Sequence, residues 1–153
     1  MIPKRIVLDT NVCLDLFVFR DPRWTLLHDA LKSGKVQAIT RDDCRMEWSI
    51  VLSYPHLKLN EADRVRVSAE FDTLIHCYPI TEADPESAKL PVCKDKDDQK
   101  FLELSRDEKA DVLITKDKAL LKCARKTRRD GLFSIITPEA WTLEMSATSQ
   151  VAE

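Results

Sequence analysis

The chain has 153 residues, 24 Lys and Arg against 26 Asp and Glu, and a net charge of −2. This length is typical of one domain, and 44% hydrophobic with 33% charged residues is typical of a soluble globular protein. The sequence has no apolar run near the ~20 residues of a transmembrane helix, and its start lacks the long apolar stretch of a signal peptide. Two glycines, Gly34 and Gly131, are too few for a dinucleotide-binding fingerprint or a Walker A loop.

The five cysteines are widely spread, odd in number and without a C-x-x-C pair, which is typical of reduced cysteines in a cytoplasmic protein. The three histidines are also scattered. A zinc site needs ligands at tight spacing, so neither residue type indicates one. We expect a cytoplasmic protein with no membrane partner.

The predicted elements alternate between strand and helix along the first half of the chain. Apolar β-branched runs predict strands, whereas helical spacing of apolar residues, first-turn prolines and Asn or Asp caps predict helices. The predictions are a strand over Arg5–Asp9, a helix from about Val12, a helix over Pro22–Lys32, a strand over Val36–Thr40, a helix from Asp42 or Asp43 to about Tyr54, a helix from Asn60 and a strand over Leu74–Tyr78.

The second half begins with a segment rich in proline and charge, residues 79–96, which we interpret as a connecting loop. The predictions that follow are a helix from Asp97 or Asp98 to about Glu108, a strand over Asp111–Thr115, a helix over Lys118–Lys126, a strand over Leu132–Ile136 and a short helix from Thr137, with a frayed tail from Ser146.

This alternation predicts an α/β fold with three layers, α/β/α, around a central, mainly parallel sheet. Neither a repeat nor a linker long enough to divide the chain is visible. We therefore predict a single domain over residues 1–145 and a flexible tail over residues 146–153.

Two acids follow predicted strands at the edge where ligands collect in open α/β sheets. Asp9 closes the first strand, and Asp117 lies two residues after Thr115, at the start of a helix. Each is also explained by helix capping. Two such acids at one edge repel each other unless a cation lies between them, which makes capping alone a less comfortable explanation.

Two further acids lie on predicted helices. Glu47 lies at the border of an apolar stripe, and its simplest interpretation is an exposed surface residue. Asp98 shares a helix face with Phe101 and Leu102, which points it toward a cleft, whereas Asp97 points away and Asp95 precedes the helix. A solvated helix start explains the same run, and three interspersed lysines offer neutralisation without metal: Lys94, Lys96 and Lys100.

Taken together, these segments resemble the PIN-domain family over roughly residues 4–137. The most specific parts are Ile6-Val-Leu-Asp-Thr-Asn-Val12, and Asp95-Lys-Asp-Asp-Gln-Lys-Phe-Leu102 followed by Ala110-Asp-Val-Leu-Ile-Thr-Lys-Asp117. Within the family the chain looks most like the bacterial VapC-like toxin components of toxin–antitoxin systems. The resemblance implies a Mg²⁺- or Mn²⁺-dependent ribonuclease that uses three or four acids.

Carried over position by position, the resemblance implies the catalytic and metal-binding residues Asp9, Glu47, Asp98 and Asp117, with Asn11, Thr115 and Asp95 as supporting residues. Members of the family commonly have Gly where this chain has Lys116, and small Ala where it has Ser105. Neither departure removes an acid. Carboxylate oxygens without Cys or His suit hard divalent ions such as Mg²⁺ and Mn²⁺.

Basic residues follow the last acid closely, and part of this run fits an RNA backbone near Asp117. A solvated basic helix end explains them equally well. The predicted nucleic-acid-binding residues are Lys116, Lys118, Lys122, Arg125 and Arg128.

Other functions remain open at this point. An aspartate-based phosphohydrolase needs a second acid two residues after the first, where this chain has Asn11, and a phosphoacceptor domain needs an acidic pair where Asp9 stands alone. A catalytically silent PIN-like nucleic-acid-binding module is the third alternative. The resemblance also implies a small antitoxin in the acidic groove and self-association into a homodimer. Three aromatic residues, Phe17, Phe19 and Trp24, fit either such a surface or the core.

Overall fold

The structure, a computed structural model, describes residues 4–151, and the side chains of residues 4–147. The strands are β1 (Lys4–Leu8), β2 (Val36–Arg41), β3 (Ile75–Tyr78), β4 (Val112–Ile114) and β5 (Ser134–Ile136). The α-helices are α1 (Thr10–Phe17), α2 (Thr25–Ser33), α3 (Asp42–Leu52), α4 (Glu61–Leu74), α5 (Gln99–Asp107), α6 (Lys118–Leu121), α7 (Ala124–Arg129) and α8 (Pro138–Val151). Short 3₁₀ turns cover Pro22–Trp24, Pro55–Leu57 and Lys96–Asp98.

The five described strands form one parallel sheet in the order β3-β2-β1-β4-β5. The chain moves outward from β1 to β2 and β3, and then returns to the other side of β1 with β4 and β5. The strand order therefore reverses between β1 and β4. At such a switch point, a crevice opens at the carboxyl ends of the two strands. The register pairs Leu8 with Ile114, so the residues after these strands leave the sheet side by side.

Helices cover both faces of the sheet, which confirms the predicted α/β fold. Alternate residues of β1 explain the two layers, because side chains along a strand point to opposite faces. Ile6 and Leu8 pack in the core cluster that contains residues of α1, α2, α3, α4 and α8. Val7 packs on the opposite face in the cluster that contains residues of α5, α6 and β5. Two buried layers thus hold the strand ends in place.

Local signals at the helix ends are the ones that the sequence predicts. Gly34 ends α2 with φ +76°, a left-handed conformation that costs glycine little. Asn60 accepts a hydrogen bond from the Asp63 amide at 2.7 Å, and the Asp63 carboxylate accepts one from the Asn60 amide at 3.1 Å, a capping box. The segment 79–95 contains neither helix nor strand, in agreement with the predicted loop.

Two predictions about helix extent are wrong. The predicted helix over Lys118–Lys126 divides into α6 and α7, because the Cys123 amide bonds the carbonyl of Leu120, three residues back, instead of the residue four back. The terminal helix is also longer than predicted, since α8 continues to Val151 beyond Ser146, where we expect the tail to begin. The domain boundary at residue 145 stays a prediction.

Aromatic residues fill the layer that holds α1 and α4. The Trp48 ring stacks on Phe71 with centroids 4.9 Å apart, and Phe17 meets both rings edge-on. Phe17 and Trp24 are buried and belong to the core, whereas Phe19 is 56% exposed. Of the helices that the structure describes, none has both the length and the apolar character needed to span a bilayer.

Trp48 and Met46 test the packing of α3, because they lie two residues apart on one helix in opposite environments. Trp48 is 1% exposed and Met46 is 61% exposed. We expect Trp48→Ala to lower the free energy of unfolding by ~3–5 kcal/mol, since it removes a stacked core ring and leaves a cavity. Met46→Ala serves as the control and should change the same quantity by about 0.5 kcal/mol or less. Urea denaturation measures both, and equal losses would contradict the assigned packing.

Candidate metal centre

Asp9 follows β1 and lies directly beside the end of β4. Its carboxylate accepts a 2.6 Å hydrogen bond from the hydroxyl of Thr115, and the amide of Asp117 donates to that same hydroxyl at 2.9 Å. Asp9 is the N-cap residue of α1, yet its side chain makes no capping hydrogen bond. Helix capping therefore does not explain this buried acid. Thr115 instead links the two predicted site acids across the switch point.

A second group of acids meets Asp117 from the far side of the crevice. Oxygen atoms of Asp95, Asp98 and Asp117 lie within 4.8 Å of one another, close enough to hold one metal ion together. Asp98 is buried as predicted, whereas its neighbour Asp97 is exposed. Two of the three acids also cap short helical segments: Asp95 accepts from the Asp97 amide at 3.0 Å, and Asp117 accepts from the Ala119 amide at 2.9 Å.

The loop before Asp95 is anchored by one side chain of α5. Gln99 accepts a hydrogen bond from the Cys93 amide at 2.7 Å and donates one to the Pro91 carbonyl at 3.1 Å. Both loop residues are buried. Because Gln99 follows Asp98 directly, the same turn positions the loop and the acids. The prediction of a plain connecting loop misses this anchor, and no local pattern reveals it.

The protonation of the acids reflects their crowding. Burial, followed by the hydrogen bond with Asp117 and the charges of Asp9, Asp117 and Asp95, raises the pKa of Asp98 from 3.8 to about 8. The same hydrogen bond holds the pKa of Asp117 below its ordinary value. At neutral pH the pair thus shares one proton, as closely spaced carboxyl groups do. Burial also raises the pKa of Asp9, and the charges of Glu47 and Asp117 raise it further.

Glu47 lies on α3 beside Asp9, but its oxygens already have protein partners. One accepts from the Thr10 hydroxyl, and the other lies 2.9 Å from Nζ of Lys100. Glu47 is not among the three acids whose oxygens lie within 4.8 Å of one another. Its predicted role as a metal ligand stays a prediction.

The predicted supporting and basic residues lie in different surroundings. Asn11 is exposed, and its side chain has no hydrogen-bond partner among the described residues. Lys116 forms a 2.6 Å ion pair with the buried carboxylate of Asp15 on α1, a contact between residues 101 positions apart that the sequence does not indicate. The remaining predicted basic residues are exposed: Lys118, Lys122, Arg125 and Arg128.

The donor set fits a hard divalent cation. The acids offer carboxylate oxygens alone, the ligands that Mg²⁺ and Mn²⁺ prefer. The raised pKa of Asp98 provides a second argument, because neighbouring negative charges contribute to it and a cation between these carboxyl groups would relieve that repulsion. Asp98 and Asp117, joined by Asp95 and neighboured by Asp9, would hold such an ion.

The protein is thus an α/β domain with a parallel sheet of strand order β3-β2-β1-β4-β5 and a group of carboxylates at the switch point between β1 and β4. The family model described as PIN domain matches residues 5–119. The chain belongs to the PIN domain family, whose members are generally nucleases that use divalent metals. Comparison with curated proteins gives no match.

The raised pKa of Asp98 predicts a pH dependence of stability without metal. The folded protein retains a proton up to a pH of about 8, whereas the unfolded chain loses it near 3.8, so stability falls as pH rises through this window. Asp98→Asn should remove this part of the slope, because the amide does not titrate. Chemical denaturation at several pH values in EDTA, compared between the two proteins, measures the difference. Parallel pH profiles would contradict the assignment.

Proposed function

We propose that the protein is a divalent-metal-dependent endoribonuclease that hydrolyses RNA phosphodiester bonds. The observation that carries this proposal is the meeting of Asp95, Asp98 and Asp117 beside the buried Asp9. Membership of a family of nucleases supports the reaction class. The five cysteines are free, which suits the reducing cytoplasm where we place the activity.

In this proposal, the acids bind the metal ion and Thr115 positions two of them. Asp98 and Asp117, joined by Asp95 and with Asp9 beside them, would hold Mg²⁺ or Mn²⁺. When bound, the ion supplies an activated water and stabilises negative charge on the phosphate and on the leaving oxygen. Thr115 orients Asp9 and Asp117 through its hydroxyl. Hydrolysis then needs no covalent bond between the chain and its substrate.

The exposed basic residues of α6, of α7 and of the turn between them would bind the RNA backbone along a path away from the metal centre. Asp117 caps α6, so this path begins at the acid cluster. Arg125 and Arg128 line a surface pocket of about 400 Å³ on α7, with Lys118 and Lys122 nearer the acids in sequence. Lys116 forms an ion pair with Asp15, so we expect it to contribute less to RNA binding than these four residues. Phosphate contacts by Lys and Arg supply most of the non-specific affinity for nucleic acid.

We infer further that the protein is the toxin of a toxin–antitoxin pair, which rests on the sequence resemblance. A small antitoxin would occupy the acidic groove. An exposed apolar stripe on α3 and the turn after it, formed by Met46, Ile50 and Tyr54 at helical spacing, supports a protein partner or a homodimer. Light scattering of the protein alone and with its proposed antitoxin tests both associations.

The cleavage assay uses a pool of structured and single-stranded RNA with Mn²⁺, Mg²⁺ or EDTA. We expect cleavage with either ion and none with EDTA. Asp98→Asn and Asp9→Asn should each lower the rate by about 100-fold or more, because a metal centre supplies several kcal/mol of transition-state stabilisation.

Asp97→Asn is the matched control, since Asp97 is an exposed neighbour of Asp98 outside the group of close oxygens. This variant should retain nearly full activity. Metal-independent cleavage, or equal activity of the Asp97 and Asp98 variants, would contradict the metal centre. RNA binding with no cleavage under any condition would favour the silent binding module.

The basic path has its own test. Arg125→Glu with Arg128→Glu should weaken RNA binding and lower the slope of log affinity against log salt by roughly 1.4, which is the loss of two contacts to a single strand. The control reverses the charges of Lys32 and Lys35, which are exposed and precede β2, at the amino ends of the strands rather than at the carboxyl ends. Fluorescence anisotropy at several salt concentrations measures both double variants, and an equal effect would argue for non-specific electrostatics.

A further inference from the structure

Lys100 is a cation that lies among the acids of the site. We call these acids the acid cluster: Asp9, Glu47, Asp95, Asp98 and Asp117. Lys100 lies in the first turn of α5, two residues after Asp98, and its Nζ is 2.9 Å from Glu47 Oε1. The same nitrogen donates to the carbonyl of Asp97 and lies 5.2 Å from the centre of the Phe101 ring. Its side chain is 17% exposed and that of Glu47 is 28% exposed, so solvent screens this pair only partly. Three contacts thus fix the ammonium group in place.

The rest of the cluster differs from Glu47 in this respect. Among the described residues, no Lys or Arg forms an ion pair with Asp9, Asp95, Asp98 or Asp117. Within the described part of the chain, Glu47 alone of these acids has a cation beside it, because Nζ of Lys100 lies 2.9 Å from its Oε1. Asp9 lies between these two halves: it accepts a hydrogen bond from the Thr115 hydroxyl, which also accepts one from the Asp117 amide, and its chain neighbour Thr10 donates one to Glu47. The cluster therefore has one half with a cation and one half without.

We propose that Lys100 takes the place of a second divalent ion, so that the chain binds one ion, at the half formed by Asp95, Asp98 and Asp117. Glu47 then serves as the partner of Lys100, and both of its oxygens are occupied, one by Lys100 and one by Thr10. Lys100 is a positioning residue, because it acts through the carboxylate of Glu47. The inference rests on the proposed metal-dependent function and specifies how many ions the site takes.

The properties of an ammonium group favour Lys100, rather than a second divalent ion, as the partner of Glu47. An ammonium group is a compact point charge with three donors, and it can satisfy a carboxylate without the octahedral shell that Mg²⁺ requires. A second divalent ion near Glu47 would lie close to the fixed ammonium and be repelled by it. Replacing Lys100 with an uncharged residue removes that repulsion and frees Glu47 beside Asp9, which creates a second pair of carboxylates for metal.

The test is the number of Mn²⁺ ions bound per chain, measured by equilibrium dialysis and by calorimetry without RNA. Wild type should bind about one ion and Lys100→Met about two. Lys100→Arg retains the cation and should bind one. Lys100→Met combined with Glu47→Gln should also return to one ion, because the second ion needs Glu47. Circular dichroism and thermal unfolding confirm that each variant is folded.

Lys96→Met is the matched control, because it removes an equal charge from the same segment, and Lys96 is exposed with no ion pair among the described residues. It should bind one ion, like wild type. Two ions in wild type, or one ion in Lys100→Met, would overturn the inference and leave the proposed nuclease intact. Failure of every variant to bind Mn²⁺ would overturn the proposed metal-dependent function and the inference with it.

Discussion

Carboxylates that meet at one edge of a sheet repel each other, and the architecture of this protein keeps them there. Asp9 and Asp117 follow neighbouring parallel strands, and Asp98 enters from the turn before α5. Thr115 joins the first two acids, while a proton shared by Asp98 and Asp117 lowers the local charge. Both hydrophobic layers of the core hold the strands that present these groups. Crowding of this kind favours a cation.

Several site residues also stabilise the fold, which explains how the crowding is tolerated. Asp95 and Asp117 cap helical segments, so their negative charges lie at the positive ends of short helices. Gln99 anchors the loop that carries Asp95. Asp9 differs from these residues, because it is 4% exposed and makes no capping bond. Its burial costs stability that its hydrogen bond with Thr115 only partly offsets.

Much of this arrangement can be predicted from the sequence, because strand ends and helix faces are local patterns. The apolar runs before Asp9 and Thr115 locate two parallel strands, and the spacing of Phe101 and Leu102 turns Asp98 inward. The partners of Glu47 and Lys116 are not predictable in this way, since 53 and 101 residues separate them from Lys100 and Asp15. The break between α6 and α7 depends on a single tightened turn. Such features are decided by tertiary packing rather than by local pattern.

Because the pKa of Asp98 is raised to about 8 beside two further acids, a divalent ion that binds to this group should displace a proton. Calorimetry of Mn²⁺ binding in buffers of different ionisation enthalpy counts the protons released. At about pH 6.5, well below the pKa of about 8 of Asp98, binding should release about one proton, and the release should vanish well above that pKa. Binding without proton release at the lower pH, or no binding, would contradict the account.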